Sequence, residues 1–136
     1  MNAFIKVSGD VCAKLVEQAR REPIAECCGL LAGCEGVITH VFPAANAAPD
    51  PAKNYEIDPR ETVRLLREFR EQKLEFLGIY HSHPNGKNEP SARDIELAYY
   101  SEAIYFIVSP LADAAKPVRA FSIRDGRVTE LDVEVL

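Results

Sequence analysis

The stretch Leu74–His81, "LEFLGIYH", constrains the fold more than any other part of the chain. After Glu75 it is an almost unbroken apolar run. It is too short for a buried helix and rich in the large residues that favour strands. A strand that is apolar on both faces must be covered on both faces, so it belongs in the middle of a sheet with material packed above and below. It then ends abruptly in His81-Ser82-His83-Pro84 and a polar loop.

The rest of the chain alternates around this strand. Ala3–Val7 alternates and reads as a strand, and Ser8 is placed to cap a helix over Asp10–Arg21 with Val11, Cys12, Leu15, Val16 and Ala19 as its apolar stripe. Glu26–Ala32, "ECCGLLA", is a short buried strand; Gly33–Gly36 is a turn and Val37–Phe42 its partner strand. Pro43–Asn54 is the longest irregular stretch and the candidate for a mobile flap. Asp58-Pro59-x-Glu61 starts a helix that runs to about Gln72, with Val63, Leu66 and Phe69 inward and Arg60, Arg64, Arg67 and Arg70 solvated. Ser91–Tyr100 reads as a third helix, and Ala103–Ser109 and Val118–Ile123 as strands. Asp125-Gly126 turns the chain into Val128–Val135, whose alternation of apolar and acidic residues suits a strand near a sheet edge. Strands mixed with three helices predict an α/β domain with a mixed sheet, one domain over residues 1–136.

Charge and composition narrow the function classes. With a net charge of −5 the chain is a poor match for nucleic acid. Its apolar runs are too short to cross a bilayer, and its first residues lack the layout of a secretion signal, so no membrane partner and a cytoplasmic setting are expected. The four cysteines, Cys12, Cys27, Cys28 and Cys34, contain no C-x-x-C and read as reduced core thiols.

The chemistry lies in "HSHPNGKNEPSARD", His81–Asp94. Residues i and i+2 of an extended chain point to one side, so His81 and His83 can aim both rings at one point past the strand end. A catalytic zinc wants three protein ligands and an open position, and Asp94 is the natural third. Asn85-Gly86 lets the loop turn back, which places Asp94 in the first turn of the following helix. Ser91-x-x-Asp94 is equally a helix-capping pattern, and the two roles do not exclude each other, since different atoms could serve each.

This constellation resembles the signature of the JAMM/MPN+ metallopeptidases, which adds an upstream glutamate on a strand ending in small apolar residues. "PIAECCGLLAG" supplies it as Glu26, and the resemblance covers Glu26 through the strand at Ala103–Ser109. It implies a mixed curved β-sheet packed between helices, similar to that of cytidine deaminases. It implies one zinc ion per chain on His81, His83 and Asp94, with Glu26 as general base toward the attacking water and Ser91 helping to hold the oxyanion. The chain looks most like short standalone prokaryotic members, whose substrates are ubiquitin-like sulfur-carrier proteins extended after a C-terminal Gly-Gly. Asn46 and Tyr55 would then border the substrate groove. A metal-free scaffold of the same fold is the alternative, although such a module has no physical need for three convergent ligands. A zinc deaminase would need H-x-E and P-C-x-x-C, which are absent. Whether the chain forms a homodimer is left open.

Overall fold

Each element forms where its pattern allows, and the sheet closes on itself. The structure, a computed structural model, describes residues 3–136. The order is β1 (Phe4–Val7), α1 (Val11–Arg21), β2 (Cys28–Cys34), β3 (Val37–Ala44), α2 (Pro59–Glu71), β4 (Glu75–Ser82), α3 (Ala92–Glu96), β5 (Ile104–Val108), β6 (Val118–Arg124) and β7 (Arg127–Val135). The strands form a closed ring in the order β1-β3-β2-β4-β5-β6-β7. β4 is central as its sequence demands, antiparallel to β2 and parallel to β5. β7 is not at an edge: β1 pairs with it in parallel from Phe4↔Asp132 to Val7↔Val135 and also with β3, which closes the ring.

Alternation divides the core into two layers. Leu31, Tyr80 and Phe106 pack with Val11, Leu15 and Ala19 of α1 on one face. Leu30, Ile79, Tyr105 and Ile107 pack with Leu65 and Phe69 of α2 on the other. Each fully buried large side chain contributes about 1.5–3 kcal/mol. The Tyr80 hydroxyl, fully buried, donates to Gln18 Oε1 at 2.6 Å and so ties β4 to α1. Gly29 is required where it stands, because a Cβ there would collide with the Phe42 carbonyl and the Tyr80 ring.

Four local expectations are corrected. Ser8 does not cap α1 with its side chain; its hydroxyl donates to Asp10 Oδ1 at 3.0 Å, and its carbonyl takes the Val11 amide instead. The stripe of α2 is centred on Leu65 and Phe69, which leaves Val63 at 56% exposure. α3 stops at Glu96 rather than Tyr100, since the Tyr100 amide leaves the helical pattern to donate to the Tyr105 hydroxyl. Cys27 and Cys28 are buried thiols, but Cys34 is exposed and Cys12 half-buried; all four are unpaired. Among the described residues no helix is long and apolar enough to cross a membrane.

Candidate metal centre and groove

The register between β2 and β4 builds the site. Cys28 lies opposite His81 and Gly29 opposite Tyr80. Continuing the antiparallel pairing puts Cys27 beside Ser82 and Glu26 beside His83. The bonds agree: Cys27 N–H donates to Ser82 Oγ at 2.9 Å, and Ser82 N–H donates to the Cys27 carbonyl at 3.0 Å. Period two then sends Glu26, His81 and His83 to the same face. A glutamate far from the histidines in sequence thus becomes their neighbour. Its carboxylate and the two ring nitrogens lie within 4.8 Å of one another.

The loop after His83 brings a second carboxylate from the other side. Asn88, buried, donates to the carbonyls of Ile107 and Lys116 at 3.3 and 2.7 Å and pins that loop to β5 and the segment before β6. α3 begins with a complete capping box. Ser91 Oγ accepts from Asp94 N–H at 3.1 Å, and Asp94 Oδ2 accepts from Ser91 N–H at 2.9 Å. The same carboxylate faces both rings, with Oδ1 at 3.3 Å from His81 Nε2 and Oδ2 at 3.1 Å from His83 Nε2. Capping and facing the imidazoles therefore coexist in one carboxylate, but they do not divide between its atoms: Oδ2 serves both the cap and His83, and only Oδ1 is given wholly to His81.

These donors fit a tetrahedral ion. With bonds of about 2.0–2.1 Å, a tetrahedral zinc separates its ligand atoms by roughly 3.3 Å. The two Nε2 atoms stand 3.1 Å apart, and the Asp94 carboxylate straddles them, Oδ1 at 3.3 Å from His81 and Oδ2 at 3.1 Å from His83. His83 Nδ1 donates to the Lys87 carbonyl at 2.8 Å, which fixes Nε2 as the nitrogen turned to the cluster. His81 leaves Nδ1 buried without a partner, so its orientation rests on what Nε2 faces and on the Tyr55 ring stacked over it at 4.2 Å.

The electrostatics divide the two carboxylates. Burial pushes Glu26 up to about 7; the nearby Asp94 charge adds to this and His83 opposes it. Burial acts on Asp94 too, but the His81 and His83 contacts outweigh it and hold its carboxyl well below the usual range. Burial lowers His81, against the pull of Asp94, and so favours the neutral ring, the form that binds metal. His83 is also desolvated, yet Asp94 and the Lys87 carbonyl raise it. A divalent cation among these groups would draw Glu26 back toward its ionised form.

Beside the centre lies a groove of about 540 Å³ with Asp94 and Arg93 in its lining. Tyr55, Val63, Leu66, Tyr100 and Tyr105 give it an apolar, aromatic wall. Of the two residues expected at the groove, Tyr55 lines it. Asn46 is not in its lining; its carboxamide donates to the Glu26 and Asn54 carbonyls, which ties the Pro43–Asn54 loop, expected as a mobile flap, to the segment before β2. Sequence reasoning missed Ser82, Asn88 and the wall at Val63, Tyr100 and Tyr105. A serine amid an otherwise buried strand and the Tyr99-Tyr100 pair were the available signals.

Known proteins resemble this chain in sequence and in fold. The desampylase of Haloferax volcanii is 41% identical over 96 residues, covering 69% of each chain. The CysO-cysteine peptidase of Mycobacterium tuberculosis is 34% identical over 133 residues, covering 96% of this chain and 90% of that one. In structure, protein DSY2949 from Desulfitobacterium hafniense superposes with a TM-score of 0.84 at 30% identity, covering 98% and 93%. The JAB1/MPN domain protein AF2198 from Archaeoglobus fulgidus, at 17% identity, shares the fold with a TM-score of 0.65 and coverage of 97% and 96%. The family of prokaryotic homologs of the JAB domain matches residues 8–124, and this chain belongs to it.

Proposed function

We propose that the protein is a zinc metallopeptidase that hydrolyses the amide bond following the C-terminal Gly-Gly of a ubiquitin-like carrier protein. The observation that carries this reading is the convergence of two imidazoles and two carboxylates at the end of β4, beside an apolar groove. The relatives support it, being named for the removal of small protein modifiers or of cysteine from a carrier.

In this reading His81, His83 and Asp94 hold one zinc ion. A bound zinc ion acidifies water and polarises a carbonyl. Glu26, buried and desolvated on the opposite flank, takes the proton of the attacking water and returns it to the leaving amine. Ser91 Oγ uses a lone pair for the Asp94 amide, so its hydroxyl hydrogen is free to donate to the developing oxyanion. An extended Gly-Gly tail has no side chains to obstruct a narrow approach, and the aromatic wall offers apolar contact to the residues next to it.

The test is direct. Zinc-loaded protein is incubated with a ubiquitin-fold carrier extended by one residue, and separately with one joined to a lysine, and the products are read by intact mass. Cleavage after Gly-Gly, lost on chelation and restored by zinc, is expected. If every such carrier stays intact while the metal is bound, the substrate assignment fails. If no divalent metal binds at all, the peptidase reading fails and a scaffold module replaces it.

A further inference from the structure

One side chain in the Pro43–Asn54 loop has every polar atom committed. Asn46 Nδ2 donates to the carbonyls of Glu26, Asn54 and Pro51 at 2.9, 2.8 and 3.3 Å. Its Oδ1 accepts from the amides of Ala48 and Glu56 at 2.9 and 3.2 Å. The Ala48 and Pro51 bonds are local to the loop. The other partners lie in two separate segments, and both belong to the site.

The first segment is Glu26 itself. It precedes β2, and its peptide is held from the loop rather than from a neighbouring strand. Its N–H donates to Pro51 O at 2.8 Å, and its carbonyl takes Asn46 Nδ2. Both bonds come from the same loop. The second segment is Tyr55. The Asn54 carbonyl and the Glu56 amide are the peptide groups on either side of it, and Asn46 holds both. The Tyr55 ring in turn stacks on His81 and lines the groove. One carboxamide therefore joins the residue on one flank of the imidazole pair to the ring that covers it. Ala47 N–H to Glu56 O at 2.8 Å adds a backbone rung to the same connection.

We propose that Asn46 is a positioning residue: its carboxamide fixes Glu26 against the imidazole pair and holds Tyr55 over His81, so the loop is a brace for the site. The inference rests on the reading of Glu26 as the proton-transfer group. The side chain is well specified. Glutamine would displace the amide by a methylene, aspartate would set a charge against three carbonyls, and alanine would leave the Glu26 carbonyl without this partner. Loss of Asn46 removes the partner of the Glu26 carbonyl and leaves the Glu26 N–H on Pro51 O and the neighbouring Cys27 on Ser82, which spares the strand.

The test is a double-mutant cycle on the full chain with the carrier substrate. Asn46→Ala is expected to lower kcat/KM about 10–100-fold, the scale of a misplacement near 1 Å, with the bound metal unchanged. In the Glu26→Gln background the same substitution is expected to cost less than about threefold, because it acts through a group already disabled. Losses that multiply, or a single variant within about twofold of wild type, overturn the proposal. A readout independent of turnover is amide hydrogen exchange. Faster exchange at Glu26 and Glu56 in Asn46→Ala, with β5 amides unchanged, is expected. Unchanged exchange at both overturns the brace even if the wild type cleaves no carrier, an outcome that would separately refute the function. If Asn46→Ala fails to fold, Asn46→Asp keeps the two accepted bonds, loses the three donated ones and enters the same cycle.

Discussion

Glu26→Gln is expected to make the metal-free protein more stable while abolishing most of its activity. The carboxyl rises from 4.5 to about 7 because burial withholds water from its charge. Between those values the native state holds a proton that the unfolded chain has released. The stability of the wild type therefore falls as pH climbs through this window. At roughly 1.36 kcal/mol per pH unit the ceiling is about 3 kcal/mol, and water reaching the cleft reduces it to roughly 1–2 kcal/mol. Glutamine carries no charge and escapes this cost. Urea unfolding of chelated wild type and variant at half-unit steps from pH 4 to 8 measures the gap. It should be near zero below pH 4.5, open through pH 7 and then level off. Zinc should narrow it, because a nearby cation favours the carboxylate. Carrier cleavage by the variant should fall about 10²–10⁴-fold with zinc retained. A variant less stable than wild type at pH 8, or a gap that ignores pH, would refute the burial argument. Retained activity would make Glu26 a bystander, and lost zinc would make it a ligand.

Other outcomes follow from the same geometry. His83→Ala should lower zinc affinity, turnover and melting temperature together, which metal analysis and calorimetry would show. Gly29→Ala should destabilise the fold by about 1–3 kcal/mol through the Phe42 carbonyl and Tyr80, measured by urea midpoint. A thiol reagent should label the exposed Cys34 quickly under native conditions. Cys28, buried and pushed up to about 12, should react only on unfolding, and peptide mass mapping would tell them apart.

How much of this was legible in the sequence depends on range. His81 and His83 share a side because strand geometry is local, and Asp94 follows from one short loop and a capping motif. The central place of β4 was equally readable from its continuous apolar run. Glu26 could be named only through resemblance, since its place depends on the β2–β4 register, a pairing between distant segments. Ring closure was hidden for the same reason. Nothing in "FIKV" says that β1 will pair with both β3 and β7. The Val63 error was one of phase: an amphipathic helix shows its period more clearly than the exact centre of its buried stripe, and Leu65 was the better centre. Asn46 lay in a loop with no period at all, where one carboxamide organises five partners that the sequence scatters over three segments.

The parallel pairing of β1 with β7 also sets how the molecule answers to force. Tension drawing β1 and β7 lengthwise past each other loads Asp132 N–H to Ala3 O, at 3.0 Å, and Leu136 N–H to Val7 O, at 2.9 Å, along with the rungs between them. They must yield together, as in a sheared lap joint, whereas peeling would open them one at a time. An unfolding machine hauling on the chain in that direction would load every rung of this seam at once.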